Sequence, residues 1–187
     1  MAGQQDIAAD SELALAALAG DQSGFSGLMR CHREAVYRLA RHHALDDSEA
    51  LDLTQETFIA AFSALGRFDR DRSFRAWILR IALNKCRDWS RRRKVRRLLT
   101  FALPIEEAAM VADPGPDPEA ALLSAAMVAR IRDAVQDLPA KLREPLVLCS
   151  LEGMSQDEAA AVLSVSRKTI ETRIYRARQK LSALLEG

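Results

Sequence analysis

Six basic side chains crowd one stretch near the C-terminal end, Arg167, Lys168, Arg173, Arg176, Arg178 and Lys180, against the lone acid Glu171. Cations at this density bind phosphate, and Arg, Lys and Thr also contact base edges in the major groove of a duplex. On a helix turning about 100° per residue, Ile170, Ile174, Ala177, Leu181 and Leu184 form an inward stripe. Lys168, Thr169, Thr172 and Arg176 then lie opposite it and Arg173 at its flank, while Arg178 falls nearer the buried edge, where its stem covers apolar surface. A second basic run, Arg91-Arg92-Arg93-Lys94-Val95-Arg96-Arg97, also suits phosphate. With aromatics upstream of it, this helix suits unstacked single-stranded bases, which stack on ring faces.

The elements that must carry these groups can be read from cap signals. Ser155 and Glu158 spell the S-x-x-E capping box, so a helix starts there and runs through Ala159, Ala160 and Ala161 to Leu163. Ser166 caps a longer helix, with Val165 and Ile170 at the hydrophobic-staple positions. Two capped helices joined by a tight turn make a helix-turn-helix, which presents its second helix to duplex DNA. A solvated charged helix at the end of a bundle is the plainer reading of an isolated basic helix, and the capped partner shifts the balance to DNA.

Upstream, Met1 to Ile7 are polar and expected to fray, and Ser11 to Ala19 reads as a short helix ended by Gly20. Asp21 caps a helix whose core stripe is Phe25, Leu28, Met29, Val36, Leu39 and Ala40. Asp46, Asp47 and Ser48 are alternative caps for a third helix running to Leu65 and stopping at Gly66. There Leu53, Thr57, Ala61 and Leu65 line one side with Phe58 and Phe62 nearby, and Asp52, Gln55, Glu56 and Ile59 share another. By spacing alone, that acidic and amide patch is ordinary helix solvation. A charged loop, Arg67 to Arg72, precedes Ser73 as the cap of a long helix. One face carries Phe74, Trp77, Ile78, Ile81, Ala82, Lys85 and Trp89, and another carries Arg80, Asn84, Arg87, Asp88 and Arg91. Core packing takes most of the surface of Phe74 and Trp77 and leaves Phe68 freer.

Pro104, Pro114, Gly115, Pro116 and Pro118, with Glu106, Glu107, Asp113, Asp117 and Glu119, make residues 98 to 120 an acidic linker. Ala120 to Leu138 then reads as a helix with Leu123, Met127, Ile131, Val135 and Leu138 in register. Pro139 breaks it, and the next helix, around Leu142 to Leu151, tolerates Pro145 in its first turn. No segment has strand periodicity, so the fold class is all-α, in two small helical domains. The chain has 187 residues, of which 49% are hydrophobic, enough for a core in each. Net charge is only +1, but the basic runs are local and local field governs binding.

Other chemistries find little support. There are no paired carboxylates in a plausible cleft, no Ser-His-Asp order and no phosphate loop, which argues against an enzyme, and no cofactor is expected. Cys31, Cys86 and Cys149 are scattered, with no CxxC pair, and read as buried or neutral thiols. Cys31-His32 and His42-His43 sit roughly 16 Å apart along a helix, too far to share a metal. The absence of a secretory leader or a long apolar run implies a cytoplasmic protein.

Three motifs in this order resemble bacterial RNA polymerase sigma factors of the extracytoplasmic-function group, the smallest of the sigma-70 class, from about Gly24 onward. Asp52-Leu53-Thr54-Gln55-Glu56-Thr57-Phe58 is similar to the region that docks on the clamp coiled coil of the polymerase largest subunit. The resemblance thereby turns the solvated patch into a polymerase-binding face of Asp52, Gln55 and Glu56. Phe74-Arg75-Ala76-Trp77-Ile78 and Arg80-Ile81-Ala82-Leu83-Asn84 resemble the region that melts and reads the minus-ten element. This implies Phe68, Ser73, Phe74, Arg75, Asn84, Arg87, Asp88 and Arg91 as contacts to opened DNA, with a flipped base held in the loop from Phe68 to Phe74. Leu138-Pro139, Leu151-Glu152-Gly153-Met154-Ser155 and the Thr169 to Arg178 helix resemble the domain that reads the minus-thirty-five element, implying Arg167, Lys168, Thr169, Thr172, Arg173 and Arg176. That helix opens Ser166-Arg167-Lys168-Thr169, where many relatives carry a smaller Gly- or Pro-containing segment, so base preference is not carried over.

The resemblance therefore implies a region 2 domain over residues 1–97, a linker over 98–120 and a region 4 domain over 121–187, with no room for a further C-terminal domain. Its partners would be core RNA polymerase, promoter DNA and an anti-sigma factor, and its setting a stress response. The competing reading is a stand-alone dimeric helix-turn-helix regulator, which leaves the Asp52 to Phe58 patch without a purpose.

Overall fold

The computed structural model describes the backbone of residues 2–99 and 118–186 and the side chains of residues 7–96 and 127–185. Among these, every regular element is helical. The proline-rich acidic stretch lies almost entirely outside the described residues.

Helix α1 spans Ala2–Leu18 and α2 spans Gln22–Arg41. The first turns of α1 are helical where the sequence suggests fraying, and from Asp10 onward α1 is held by α2. Buried Asp10 pairs with buried His32 at 2.9 Å. Gly24 brings α2 so near that a Cβ there would lie 2.5 Å from the Leu13 carbonyl oxygen. Gly20, at φ +91°, makes the reversal between the two helices. Asp21 caps α2 by accepting the Ser23 amide hydrogen at 2.8 Å.

Of the three candidate caps for the third helix, Asp46 does the work, accepting the Glu49 amide hydrogen at 2.8 Å to open α3, Asp47–Ala64. A 3-10 turn at Leu65–Arg67 ends it. Ser73 accepts the Ala76 amide hydrogen at 3.2 Å and opens α4, Phe74–Leu99. Helix α2 lies at the centre of this half, packed on α1, α3 and α4. Leu28, Val36 and Leu39 of α2 are fully buried, each contributing about 1.5–3 kcal/mol by burial.

Helix α5 spans Pro118–Gln136, and Pro139 starts α6, Ala140–Leu146. Pro145 therefore sits deep in α6 and not in its first turn. It removes one backbone donor, and the chain widens into a π turn over Val147–Leu151. The expected α5 stripe is half realised. Val135 and Leu138 are buried, whereas Met127 and Ile131 are exposed, because only the end of α5 reaches this core. Helices α7, Gln156–Leu163, and α8, Arg167–Glu186, complete the second half, with α8 packed on α5, α6 and α7.

The halves are not separate bodies. Helix α7 packs against α4, and one continuous apolar cluster runs from Leu28 and Phe74 through Ile78, Leu79 and Leu83 to Val147, Leu148 and Ile170. Leu79 and Leu83, outside the face expected to be buried, are buried in that shared cluster.

Candidate nucleic-acid interface

The helix-turn-helix is built as its caps specify. Ser155 accepts the Glu158 amide hydrogen at 3.2 Å, and the Glu158 carboxylate accepts the Ser155 amide hydrogen at 2.8 Å. Ser164 takes the left-handed conformation at φ +55° and ends α7, and Ser166 then accepts the Thr169 amide hydrogen at 3.2 Å to begin α8. Ile170, Ile174 and Ala177 are buried. That anchoring turns Lys168, Thr172 and Arg176 to solvent, with Thr169 and Arg173 half-buried at the flanks. Arg167 is exposed and pairs with Asp157 at 3.3 Å. The Thr172 hydroxyl donates to the Lys168 carbonyl at 2.9 Å, leaving its lone pairs free to accept. Three expectations are corrected: Thr169 is half-buried and not opposite the inner stripe, Arg178 is exposed and not tucked, and Leu184 is exposed because α8 runs past its supports.

On α3, buried Leu53, Thr57, Phe58, Ala61 and Leu65 fix the outward face. Asp52, Gln55 and Glu56 are exposed there, with Lys85 of α4 3.7 Å from Glu56. Beside them Ile59 is 67% and Phe62 55% exposed. Phe62 thus belongs to the surface patch and not to the inner side, and it meets Phe25 edge to face at 4.7 Å. An apolar groove lined by Phe25, Met29, Phe58, Ile59 and Phe62 adjoins Gln55. Periodicity misses this groove because it is formed jointly by α2 and α3.

The loop before α4 departs most from expectation. Phe68 is 8% exposed, its ring 5.2 Å from those of both Phe74 and Trp77. Phe74 is 0% exposed. Neither ring offers a face to a base: the aromatic trio closes the bundle end, where apolar burial outweighs exposure in a polar loop. The exposed groups of the loop are Asp69, Arg70, Asp71 and Arg72. Ser11 of α1 ties the loop down by donating to the Arg70 carbonyl at 2.7 Å. Ser73 is partly exposed, its oxygen engaged in the cap.

Along α4, Asn84 is exposed and accepts from Arg87 at 3.4 Å, and Asp88 pairs with Arg91. Arg93 lies over the Trp89 ring at 5.4 Å, and Arg92, Lys94 and Arg96 are exposed. Arg75 and Arg87, however, are bound across the molecule. Arg87 grips Glu144 through two bonds, Nε to Oε1 at 2.8 Å and Nη2 to Oε2 at 2.6 Å. Arg75 donates to the Glu152 carbonyl at 2.6 Å and to its Oε2 at 3.1 Å. Arg38 of α2 completes that site with bonds of 3.0 and 2.9 Å to the two Glu152 oxygens. The Glu152 and Glu144 side chains are only 0% and 5% exposed. Bonding to these carboxylates raises Arg38 and Arg87 above the usual guanidinium range.

Nearby, Gln136 donates to the Ala44 carbonyl at 2.9 Å, and Arg143 Nη2 lies 3.0 Å from His43 Nδ1. Burial, then the charges of Arg143, His42 and Arg87, hold His43 well below the ordinary imidazole range. Burial, then Arg132, Arg143 and Arg41, lower His42 to about 4. None of these cross-molecular pairs has a local signature; Glu144 and Arg87 are 57 positions apart.

Among the thiols, Cys86 is buried and pushed up by burial to about 12, and Cys149 is raised by burial, so both are neutral. Cys31 is exposed. His32 is committed to Asp10. No described helix is long and apolar enough to cross a membrane.

The sequence model of Sigma-70 region 2 matches residues 28–96, and that of Sigma-70, region 4 matches residues 129–181. The RNA polymerase sigma factor NccH of Alcaligenes xylosoxydans xylosoxydans is 43% identical over 184 residues, covering 97% of each chain. The sigma factor CnrH of Cupriavidus metallidurans is 44% identical over 182 residues, 96% of this chain and 95% of its own. The structure of CnrH in complex with the cytosolic domain of CnrY superposes with a TM-score of 0.71 at 40% identity, over 95% of this chain and 97% of that one. The ECF RNA polymerase sigma factor SigM of Mycobacterium tuberculosis is 32% identical over 176 residues, 94% of this chain and 84% of its own. With both sigma regions in order along one chain, and relatives aligned from end to end, the protein belongs to the RNA polymerase sigma factors of the sigma-70 family, in their extracytoplasmic-function group.

Proposed function

We propose that this sigma factor divides its work among three surfaces, two that recognise the promoter and one that docks on polymerase, while polymerase supplies the chemistry. Lys168, Thr169, Thr172, Arg173 and Arg176, with Arg167 at the helix start, enter the major groove of the minus-thirty-five duplex. The α4 face of Arg75, Asn84, Arg87, Asp88 and Arg91, with the Arg92 to Arg96 run, follows the minus-ten strand once it is open. Phe68 and Phe74 support that face from within, and the loop between them offers Ser73 and charged side chains to an extruded base. Extrusion costs a few kcal/mol, which the binding of duplex, strand and polymerase together offsets. Asp52, Gln55 and Glu56 dock on the clamp coiled coil of the polymerase largest subunit, with Ile59 and Phe62 adding an apolar contact.

The observation that carries this reading is the outward stripe of Lys168, Thr172 and Arg176 on a capped helix-turn-helix, in one chain with a second basic helix. The domains are residues 1–97 and 121–187, and the setting is cytoplasmic. CnrH is seen with the cytosolic domain of CnrY, and an anti-sigma partner fits this chain and its place in a stress response. Run-off transcription from a genomic promoter pool with purified core polymerase tests the reading. The expected result is initiation at a discrete promoter set that core alone does not use. Sequence-specific duplex binding by the chain alone, with no effect on core, would instead mark a stand-alone dimeric regulator.

A further inference from the structure

Among the described residues, four arginines of the first half meet acceptors on the second. Glu152 takes Arg38 and Arg75, Glu144 takes Arg87 through two parallel bonds, and Arg80 donates to the Ala161 carbonyl at 2.5 Å. These carboxylates are shut away from water, and such a charge is tolerable only while fully bonded. The arrangement of Glu144 on Arg87 is the fork-to-fork geometry that a guanidinium also offers to a phosphate. Leu79 and Leu83 are buried in the same joint, so α4 lies beneath the second half in this form.

We propose that Glu144 and Glu152 form an internal latch. They stand in for DNA phosphates on Arg87 and Arg75, and they hold the free protein closed so that the strand-binding face of α4 is unavailable until the two halves part. The proposal rests on the assignment of that face to opened promoter DNA, and it adds a built-in competition. DNA or polymerase must displace carboxylates that the protein itself supplies. Affinity for the opened strand is then scaled down by the fraction of molecules that are open. Two features set this apart from ordinary surface pairing. The acids are buried while their partners reach outward, and the acids all come from one half while the cations come from the other.

The test uses the full chain free in solution and reads two quantities, the radius of gyration by small-angle scattering and the affinity for a single-stranded minus-ten oligonucleotide. In Glu144→Gln/Glu152→Gln the radius rises toward that of two tethered bodies, and oligonucleotide affinity rises on the order of tenfold. A charge exchange guards against simple misfolding. Glu144→Arg alone opens the protein, and Glu144→Arg/Arg87→Glu closes it again, with helical content by circular dichroism unchanged in all variants. The latch is overturned if the double Gln variant stays as compact as the parent, if it opens without any gain in affinity, if affinity rises without opening, or if the exchanged pair remains open. Loss of helix in the variants overturns it as well, since the glutamates would then be part of the fold. Transcription by the parent with core polymerase is scored separately. Its absence would remove the assigned function, whereas a failed latch with intact transcription removes only the latch.

Discussion

Lys168 and Arg173 lie on different sides of the α8 surface proposed to meet the duplex, the first pointing to solvent and the second half-buried at its flank. Replacing either with Ala is expected to weaken minus-thirty-five binding. A phosphate contact lowers affinity evenly across sequences and reduces the salt slope by about one, whereas a base contact relaxes one position by about 1–3 kcal/mol. Titration of duplexes mutated one position at a time separates the two, and unchanged affinity removes the residue from the interface. On α3, Glu56→Arg is expected to abolish co-purification with core polymerase while circular dichroism stays unchanged, because Glu56 is exposed. Retained co-purification would count against that docking face. These residues were legible in the sequence because helical periodicity alone turns Lys168, Thr172, Arg176, Asp52, Gln55 and Glu56 outward once the buried stripe is known. Phe68 was misread because no period governs a loop, and its ring went to the nearest apolar neighbours, Phe74 and Trp77. The partners of Arg75 and Arg87 were invisible for another reason: they lie 77 and 57 positions away, beyond any local pattern.

Helix boundaries were mostly carried by caps, and Asp21, Asp46, Ser73, Ser155 and Ser166 all accept the amide hydrogens that their positions predict. Where no cap or breaker speaks, tertiary contact decides, as in α1. Its docking depends on Gly24, where an added methyl would meet backbone atoms at 2.5 and 2.6 Å. Gly24→Ala is therefore expected to lower stability by about 1–3 kcal/mol, measured by urea unfolding, despite the better helix propensity of Ala. An unchanged midpoint would mean that α1 shifts at no cost. At the α2 end, His42 and His43 face Arg41, Arg87, Arg132 and Arg143, and Gln136 lies alongside. The closed form holds both imidazoles below their ordinary 6.5. Arg132 and Arg143 of the second half add to this lowering beside Arg41 and Arg87 of the first, so the part that closure imposes favours the neutral ring. The contribution is complete above about pH 6.5 and is lost as pH falls toward 4. Scattering across that window is expected to show expansion on acidification, weakened in His43→Gln. No change of radius between pH 7 and pH 4.5 would show that these rings do not govern closure.

The two helical halves share a joint that engages α4, the helix proposed to meet the opened strand, and leaves the outer face of α8 exposed. Helix α8 presents Lys168, Thr172 and Arg176 even in the closed form, so duplex recognition needs no rearrangement. Helix α4 has Arg75 and Arg87 engaged, so capture of an opened strand does. The two-domain, all-helical plan was legible from periodicity, caps and the proline-rich break. The contact between the domains was not, because the pairs that hold it, Arg75 with Glu152 and Arg87 with Glu144, lie 77 and 57 positions apart. On this proposal one chain grips duplex DNA upstream and, with polymerase, melts and holds an unpaired strand downstream. Permanganate and nuclease footprinting of the reconstituted holoenzyme on a promoter it uses is the most direct measurement. Reactive, unpaired thymines at the minus-ten element are expected together with protection at minus-thirty-five, the reactivity being lost without core. Symmetric protection of a fully paired site by the chain alone, with no reactive thymine on adding core, would contradict it.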